Sequence, residues 1–104
     1  MLQVSRRGRF RMQITLTPLQ LLICHYAKQN ISGSELIGLL NNRGVQEASV
    51  YGCVHRLKRV GLISSAHIKG RGCTANRLYS LTAKGAECLG VSIQTYKLLL
   101  EEVQ

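Results

Sequence analysis

Four cysteines and three histidines are the residues of this 104-residue chain that could bind a metal ion or react as thiols. Two pairs come closest to a zinc-binding pattern, Cys53 with His55 and His67 with Cys73. Their spacing is Cys-x-His, then eleven residues, then His-x5-Cys, which matches no common zinc framework. Two disulfides would suit a secreted mini-protein, but the aliphatic content is high enough for packing without them. The sequence therefore favours thiols as small core residues and predicts no metal and no cofactor.

Carboxylates and nucleophiles are equally poor candidates for catalysis. Aspartate is absent, and the five glutamates are scattered along the chain. There is no Ser-centred elbow, no His-rich helix pair and no nucleotide fingerprint. The stretch Lys69-Gly70-Arg71-Gly72 lacks the Lys-Ser/Thr ending of a phosphate loop and does not open a helix. We therefore expect a protein that is not an enzyme.

Charge is the most informative property of the composition. Fourteen Lys and Arg against five acids give a net charge of +9 and a sequence pI near 10.0. Residues 1–81 contain twelve of the cations and two of the acids, whereas residues 82–104 are nearly neutral. A domain this basic usually meets a polyanion, so nucleic acid or an acidic membrane face is the expected partner of the first four-fifths of the chain. No apolar run could span a bilayer and the start is no secretory signal, so a soluble cytoplasmic protein without a membrane partner is expected.

Two helices are predicted in the first half of the chain. Thr17-Pro18 suits a helix start, and an apolar stripe follows until the pattern fades at Gln29-Asn30. Its members are Leu19, Leu22, Ile23 and Tyr26. Ser32-Gly33-Ser34-Glu35 is a capping-box arrangement that opens a second helix, which ends at Asn41-Asn42-Arg43-Gly44. Only about three residues separate this end from the next helical pattern, which predicts a helix-turn-helix.

The third helix, roughly Gln46 to Val60, has two distinct faces. One is apolar and predicted to face the core, with Val50, Cys53, Val54 and Leu57. The other is polar, small near its start and basic further on, with Gln46, Ser49, Gly52, Arg56 and Arg59. Short side chains let a helix backbone approach base edges, and arginines bind phosphates or guanine edges. A merely solvated face would mix charges of both signs, whereas this helix has a single acid, Glu47. The pattern favours DNA recognition.

A basic β-hairpin and an arginine-rich arm flank these helices. Gly61 ends the third helix, residues 62–68 and 77–81 read as paired strands, and residues 69–76 form a glycine-containing basic turn. Arg71 lies between two glycines of this turn, where its guanidinium could enter a narrow minor groove. The segment Gln13-Ile14-Thr15-Leu16 alternates between polar and apolar residues, a pattern that suggests a short strand. Residues 1–11 read as a flexible arm, and DNA contact and simple solubilisation are equally weighted for it.

The last part of the sequence predicts two helices. Thr82 is a plausible cap for a short helix from Ala83 to Leu89 that Gly90 closes, and Ser92 can cap a final helix. That helix is apolar on more than one side, since Leu98 lies off its main stripe. So much apolar surface favours a second copy of the chain as its partner, although folding back on its own core remains an alternative. The predicted dimerisation residues are Ile93, Tyr96, Leu99, Leu100 and Val103.

Three stretches resemble the PadR and MarR groups of bacterial regulators. They are Ser32-Gly33-Ser34-Glu35-Leu36, Ser49-Val50-Tyr51 leading to Leu57-Lys58-Arg59-Val60-Gly61-Leu62-Ile63, and Leu78-Tyr79-Ser80-Leu81-Thr82-Ala83-Lys84-Gly85. The resemblance covers about residues 17 to 90. It implies a mainly α fold with a small β-hairpin (α+β), namely a winged helix-turn-helix with a C-terminal dimerisation helix. It also implies a homodimer on a pseudo-palindromic operator, commonly as a repressor. Many relatives respond to a small molecule or oxidant, and the effector of this chain is unknown.

The expected organisation is a basic arm at residues 1–12, a DNA-binding domain at residues 13–90 and a dimerisation helix at residues 91–104. Base readout is assigned to Gln46, Ser49 and Arg56. Phosphate contacts are assigned to Lys58, Arg59, Lys69 and Arg77, with Arg71 at the wing tip and the arm arginines as further candidates, namely Arg6, Arg7, Arg9 and Arg11. The leading hypothesis is a sequence-specific double-stranded DNA-binding transcriptional regulator that acts as a repressor by occluding a promoter, in the cytoplasm and associated with the nucleoid.

Other functions would use the same fold. One alternative is an accessory or initiator protein for plasmid or phage replication, and another is a winged-helix protein-interaction module. A thiol-sensing variant of the regulator would rely on Cys73, which has cationic neighbours in the predicted wing. The sequence does not separate these alternatives.

Overall fold

A computed structural model describes residues 15–67 and 77–103 of the chain. It contains four helices and three strands in these two ranges. Their bounds are α1 Pro18–Ala27, β1 Ile31–Ser32, α2 Gly33–Asn41, α3 Glu47–Arg59, β2 Ile63–His67, β3 Arg77–Leu81 and α4 Ala83–Val103. The strands form one antiparallel sheet in the order β1-β3-β2. This is the expected α+β winged-helix architecture.

The helix starts follow the predicted caps. The Thr17 hydroxyl accepts a hydrogen bond from the Gln20 backbone N–H (3.2 Å), and the Gln20 side chain accepts one from the Thr17 N–H (2.9 Å). These two bonds make a complete capping box at the start of α1. At α2 the Ser32 hydroxyl accepts from the Glu35 N–H (3.1 Å), while the Ser32 backbone pairs with β3. Side-chain capping therefore fixes where both helices begin.

The turn before α3 is closed by a glycine, as the sequence predicts. Gly44 has a φ of +88°, which L side chains rarely adopt, and Gly61 has a φ of +83° after α3. A side chain at either position would strain the backbone. The two glycines therefore define both ends of the segment that carries α3.

The core joins all four helices and the sheet. It contains Ile23, Cys24 and Ala27 of α1, and Tyr79, 1% exposed, lies at the centre of the sheet. Tyr79 pairs with Ile31 on one side and with Ser65 on the other. Of the stripe expected on α1, only Ile23 is fully buried, and the other three members are half-buried against the core. The face of α1 turned inward is thus rotated slightly from the expected one.

The sequence does not predict strand β1. It does suggest a strand at residues 13–16, but residues 15 and 16, the two that the structure describes, are not in a strand. Gln13 and Ile14 lie outside the described residues, and Leu16 is not in a strand. The backbone of Leu16 is bound by α4 instead: its N–H donates to the Ser92 hydroxyl (2.9 Å), and its carbonyl accepts from the Tyr96 hydroxyl (2.8 Å). Polar side chains of α4 therefore take the place of a strand partner.

The predicted helix break at Gly90 is wrong. Helix α4 runs without interruption from Ala83 to Val103, so the expected boundary at residues 90–91 falls inside it. Ser92 is not a cap but a fully buried residue that binds Leu16. A glycine inside a helix costs only about 0.5–1 kcal/mol relative to alanine, and the burial of neighbouring residues such as Leu89 outweighs that cost.

A tight joint connects the end of α3 to the start of α4. The Thr82 hydroxyl accepts a hydrogen bond from the Gly85 N–H (3.0 Å), so Thr82 caps α4 as expected. The same hydroxyl donates to the Gly61 carbonyl oxygen (2.7 Å). The Lys84 ammonium donates to the Val60 carbonyl (3.0 Å) at the C-terminal end of α3. A Cβ at Gly85 would overlap the Leu62 carbonyl and lie 2.7 Å from Leu81 Cδ1. Only glycine allows α4 to approach this closely.

Two glycines of the same helix give a matched test of this joint. We expect Gly85→Ala to lower the free energy of unfolding by about 2–3 kcal/mol, because the added methyl group meets backbone that cannot move away. Gly90 has no atom near its would-be Cβ, so Gly90→Ala is expected to raise stability by about 0.5–1 kcal/mol. Urea unfolding of both variants measures the two effects. Equal stabilities would show that the contact at Gly85 is not restrictive.

Candidate nucleic-acid interface

Helix α3 is fixed to the protein by the apolar face that the sequence predicted. All four residues of that face are buried, namely Val50, Cys53, Val54 and Leu57. They pack against α1, α2 and β2. The opposite face of the helix is consequently held outward in one orientation.

The centre of the outward face is a row of four exposed residues. A helix advances about 100° per residue, so the positions directly opposite the buried face are Ala48, Gly52, His55 and Arg59. The first two are small, and no atom lies within 4 Å of the position of a Cβ at Gly52. The last two are a histidine and an arginine. The row therefore changes along the helix from low relief to long basic side chains.

A shallow groove runs along this face. It is lined by Tyr51, Gly52, His55, Arg56 and Arg59. Within the described part of the chain, no hydrogen bond or ion pair occupies the guanidinium group of Arg56 or Arg59. Three cations fall in the last turn of α3 (Arg56, Lys58 and Arg59). Their position near the negative end of the helix dipole stabilises the helix as well as charging the surface.

The single acid of α3 is engaged by a neighbouring tyrosine. The Tyr51 hydroxyl donates to Glu47 Oε2 at 2.9 Å, one helical turn away. Tyr51 is 39% exposed, and Glu47 lies in the first turn of the helix. The pair occupies the edge of the outward face opposite to the edge that carries Arg56.

The structure leaves the expected base-reading residues exposed, and Ser49 and Arg56, seven residues apart, lie on the same side of α3. Gln46 is the N-cap, and Gln46, Ser49 and Arg56 are all exposed. Lys58 is half-buried on the flank. Arg77 lies at the start of β3, where it pairs with His67 at the end of the two strands nearest the hairpin turn, and its guanidinium donates to the Ser65 hydroxyl (3.1 Å). The remaining assigned cations lie outside the described residues, namely Lys69, Arg71, Arg6, Arg7, Arg9 and Arg11.

Sequence reasoning missed His55 and Ala48 as members of the outward face. It considered His55 only as a possible metal ligand beside Cys53, although His55 follows Gly52 by three residues and precedes Arg59 by four. Helical spacing measured from the centre of the buried face would have found both residues. Arg43, in the turn before α3, was also not considered; its Nε donates to the Tyr26 hydroxyl (3.0 Å) and ties that turn to α1.

The far end of α4 carries a second feature of functional interest. Gly85, Leu89, Ser92 and Tyr96 form one inward face along the helix. The same face continues as Leu99, Leu100 and Val103, which are 51%, 59% and 76% exposed. Helix α4 therefore extends past the body of the protein with its apolar face uncovered by the described chain. Tyr96, assigned to the dimer from sequence, is half-buried and binds Leu16 within the same chain.

The described cysteines are core residues. Cys24 and Cys53 are buried, and Cys88 is half-buried. Burial, with a smaller contribution from Cys53 and Cys88, raises the pKa of the Cys24 thiol to about 11. Burial likewise raises the pKa of Cys53, against the opposing effect of Arg56. Such thiols are poor nucleophiles at neutral pH. Cys73, the basis of the thiol-sensing alternative, lies outside the described residues.

Among residues 15–67 and 77–103, no group of three or more His, Cys, Asp or Glu side chains is placed to hold a metal ion. None of the helices in those ranges is both long enough and apolar enough to cross a membrane. The four helices, the three-stranded sheet and the outward α3 define the class of winged-helix proteins.

Comparison with known proteins makes this class more specific. No protein-family model and no curated protein matches the chain. A PadR-like transcription factor of Bacteroides fragilis superposes with a TM-score of 0.70 at 26% identity, over 92% of each chain. A PadR-like transcriptional regulator of Bacillus cereus gives 0.68 at 28% identity, over 82% of this chain and 86% of that one.

A PadR-family transcriptional regulator of Eggerthella lenta is similar in fold, with a TM-score of 0.70 at 22% identity over 82% of this chain and 77% of that one. The resemblance to PadR-like regulators that the sequence motifs indicated is thus confirmed by structure. The chain has a PadR-like winged-helix fold, and the proteins it resembles are transcriptional regulators, a non-enzymatic class.

Alkaline titration tests the core role of Cys24. The folded state holds the thiol proton more tightly than the unfolded state, so the stabilisation is complete below about pH 9 and is lost as pH rises through about 11. The full loss expected from this group is about 3 kcal/mol. Urea unfolding between about pH 8 and about pH 11 should show a shallower decline for Cys24→Ala than for the wild type. Identical slopes would contradict the assignment.

Proposed function

We propose that this protein is a DNA-binding transcriptional regulator. It binds a pseudo-palindromic operator as a homodimer and represses transcription there. The observation that carries the proposal is the outward face of α3: four buried residues fix the helix, and the opposite face is small at its start and basic at its end. That combination suits insertion into a major groove, because the small residues allow close approach and the arginines reach base edges and phosphates.

Charge supports the same conclusion. The net charge of +9 attracts the phosphate backbone at long range, and most of the cations lie before α4 in sequence. We assign base readout to Gln46, Ser49 and Arg56, and add His55 on the evidence of its central position. Phosphate contacts are assigned to Lys58, Arg59 and Arg77. Lys69, Arg71 and the arm arginines at positions 6, 7, 9 and 11 remain proposed contacts from sequence.

Dimerisation is supported by the uncovered face of α4. The side chains at positions 99, 100 and 103 are at least half exposed and continue a face that is buried nearer the body. A second copy of the same helix would cover them isologously, which is how a two-fold dimer is built. Two α3 helices related in this way would enter successive major grooves about 34–36 Å apart.

The regulatory mechanism proposed is occlusion. A dimer seated across two half-sites covers the promoter and excludes the polymerase, so that no chemistry by the protein is needed. The place of action would be the nucleoid, in the cytoplasm.

Selection of bound sequences from a random duplex pool tests the proposal as a whole. The expected result is a palindromic consensus with half-site centres one helical turn apart. A consensus located at a replication origin rather than at a promoter would indicate the initiator alternative. Enrichment of no sequence, together with negligible affinity for any duplex at low salt, would reject DNA binding and favour a protein-interaction module.

Arg56 provides the test of α3 placement. We expect Arg56→Ala to weaken operator binding by about 1–3 kcal/mol and to relax the base preference at one position of each half-site. Lys97 is an exposed residue of α4. Lys97→Ala also removes one positive charge, but at a site outside α3, and is expected to leave base preference unchanged. Fluorescence anisotropy at fixed salt measures both variants. If Arg56→Ala behaved like Lys97→Ala, α3 would not be the recognition helix.

Two adjacent leucines provide the test of the dimer. Leu99 and Leu98 are similarly exposed, at 51% and 57%, but they point to different sides of α4 because consecutive residues differ by about 100°. We expect Leu99→Glu to yield monomers, since it places a charge in the proposed interface, and Leu98→Glu to remain dimeric. Analytical ultracentrifugation measures the masses. Monomeric wild type would overturn the homodimer.

A further inference from the structure

Glu47 is an acid in an unfavourable electrostatic setting. It is one of only two acids among residues 1–81, and it lies exposed in the first turn of the helix proposed to enter DNA. A carboxylate between two phosphate backbones is repelled by both of them. Its presence there lowers affinity for duplex in general, so a compensating contact must be sought on the bases.

The base edges of the major groove offer few partners to a carboxylate. An ionised carboxylate only accepts hydrogen bonds, and the major-groove donors are the amines on cytosine N4 and adenine N6. Adenine also presents its N7 acceptor beside the amine, which repels a second carboxylate oxygen and suits an amide instead. Cytosine is therefore the base that best matches a glutamate.

The Tyr51 hydroxyl restricts the orientation of this carboxylate. It donates to Glu47 Oε2 at 2.9 Å and leaves Oε1 to accept from another donor. The position is also suitable, because the N-terminal residues of a recognition helix are the ones that reach base edges. Ala48 and Gly52, at the centre of the outward face, add little bulk that would keep the helix away from the groove floor, and no atom lies within 4 Å of the position of a Cβ at Gly52.

We infer that Glu47, oriented by Tyr51, reads the N4 amine of a cytosine in each half-site. This inference rests on the proposed function and adds a specificity-determining residue to it. Tyr51 is a positioning residue: it acts by holding Glu47, so its effect must appear at the same base pair.

A purely structural role makes a different prediction. A glutamate in the first turn stabilises a helix through the helix dipole, and Glu35 has that position in α2. Glu35→Gln is therefore the control, since it removes the same charge from the first turn of another helix, where Glu35 is the third residue and Glu47 is the first residue of its own helix. If Glu47 served the helix dipole alone, the two substitutions would change thermal stability alike and neither would alter base preference.

The experiment is selection from a random duplex pool with the wild type, Glu47→Gln, Tyr51→Phe and Glu35→Gln, with thermal unfolding of each variant measured alongside. In Glu47→Gln we expect discrimination at one cytosine of each half-site to fall about tenfold and preference to move toward adenine, because the amide can donate to N7 as well as accept from N6. General affinity for duplex at low salt should rise. Tyr51→Phe should weaken discrimination at the same base pair to a smaller extent.

Each result has one meaning for the inference. A Glu47→Gln consensus identical to the wild-type consensus would overturn it, as would a change at a position where the wild type does not select cytosine. A change at separate positions in Glu47→Gln and Tyr51→Phe would overturn the role of Tyr51. If the wild type itself enriched no consensus, the proposed function would have failed, and this inference with it.

Discussion

The contact between Gly85 and the Leu62 carbonyl is the constraint on which the arrangement of helices depends. It lets the start of α4 lie directly against the turn that follows α3, and Lys84 and Thr82 then donate to the carbonyls of Val60 and Gly61 in that turn. Unpaired carbonyls at a helix end would otherwise have to be satisfied by water. Because this joint fixes both helices, the orientation of the exposed α3 face relative to α4 is set by the close backbone contact at Gly85 together with the hydrogen bonds from Thr82 and Lys84.

Helix α3 combines two requirements along its short length. Its inner face holds it to the core with four buried residues, and its outer face must stay polar without pairing its own charges. Gly52 shows the compromise most clearly: it stabilises nothing, costs the helix about 0.5–1 kcal/mol relative to alanine, and has open space above it. A residue that is unfavourable for folding on an exposed helix face is expected where another surface must come close.

Much of the fold could be predicted from sequence because its signals are local. The helix starts at Thr17 and Ser32, the glycine turns at positions 44 and 61 and the buried face of α3 all depend on neighbouring residues. The features that were not predicted depend on distant ones. Strand β1 has two residues, too few for a periodic pattern, and exists because β3 pairs with it. The helix continues through Gly90 into a segment where Ser92 accepts a hydrogen bond from the Leu16 N–H, and these two residues are 76 positions apart in sequence.

The candidate site divides in the same way. The helical pattern predicted the polar, partly basic character of the outer α3 face. It centred that face too close to Ser49 and Arg56, however, and therefore left out His55. The hydrogen bond between Tyr51 and Glu47 follows the spacing of four residues that brings side chains together on a helix, yet sequence alone does not say which of several such pairs forms. The point at which α4 leaves the body of the protein is the hardest feature to predict. The apolar stripe of this helix has the same pattern where it is buried, at Leu89, as where it is exposed, at Leu99 and Val103.

The position of α4 also bears on how far apart two copies of α3 would lie. The helix is tied to α3 near Gly85 and to the start of α1 through Ser92 and Tyr96, so it cannot pivot about a single contact. From Gly85 to Leu99 it rises about 21 Å, as a continuous helix with no linker in between. A dimer formed on its far end would therefore hold the two recognition faces at a nearly constant distance. Such a dimer would tolerate changes of base at uncontacted positions far better than insertion of a base pair between half-sites, because an insertion both lengthens the separation and rotates one half-site by about a tenth of a turn.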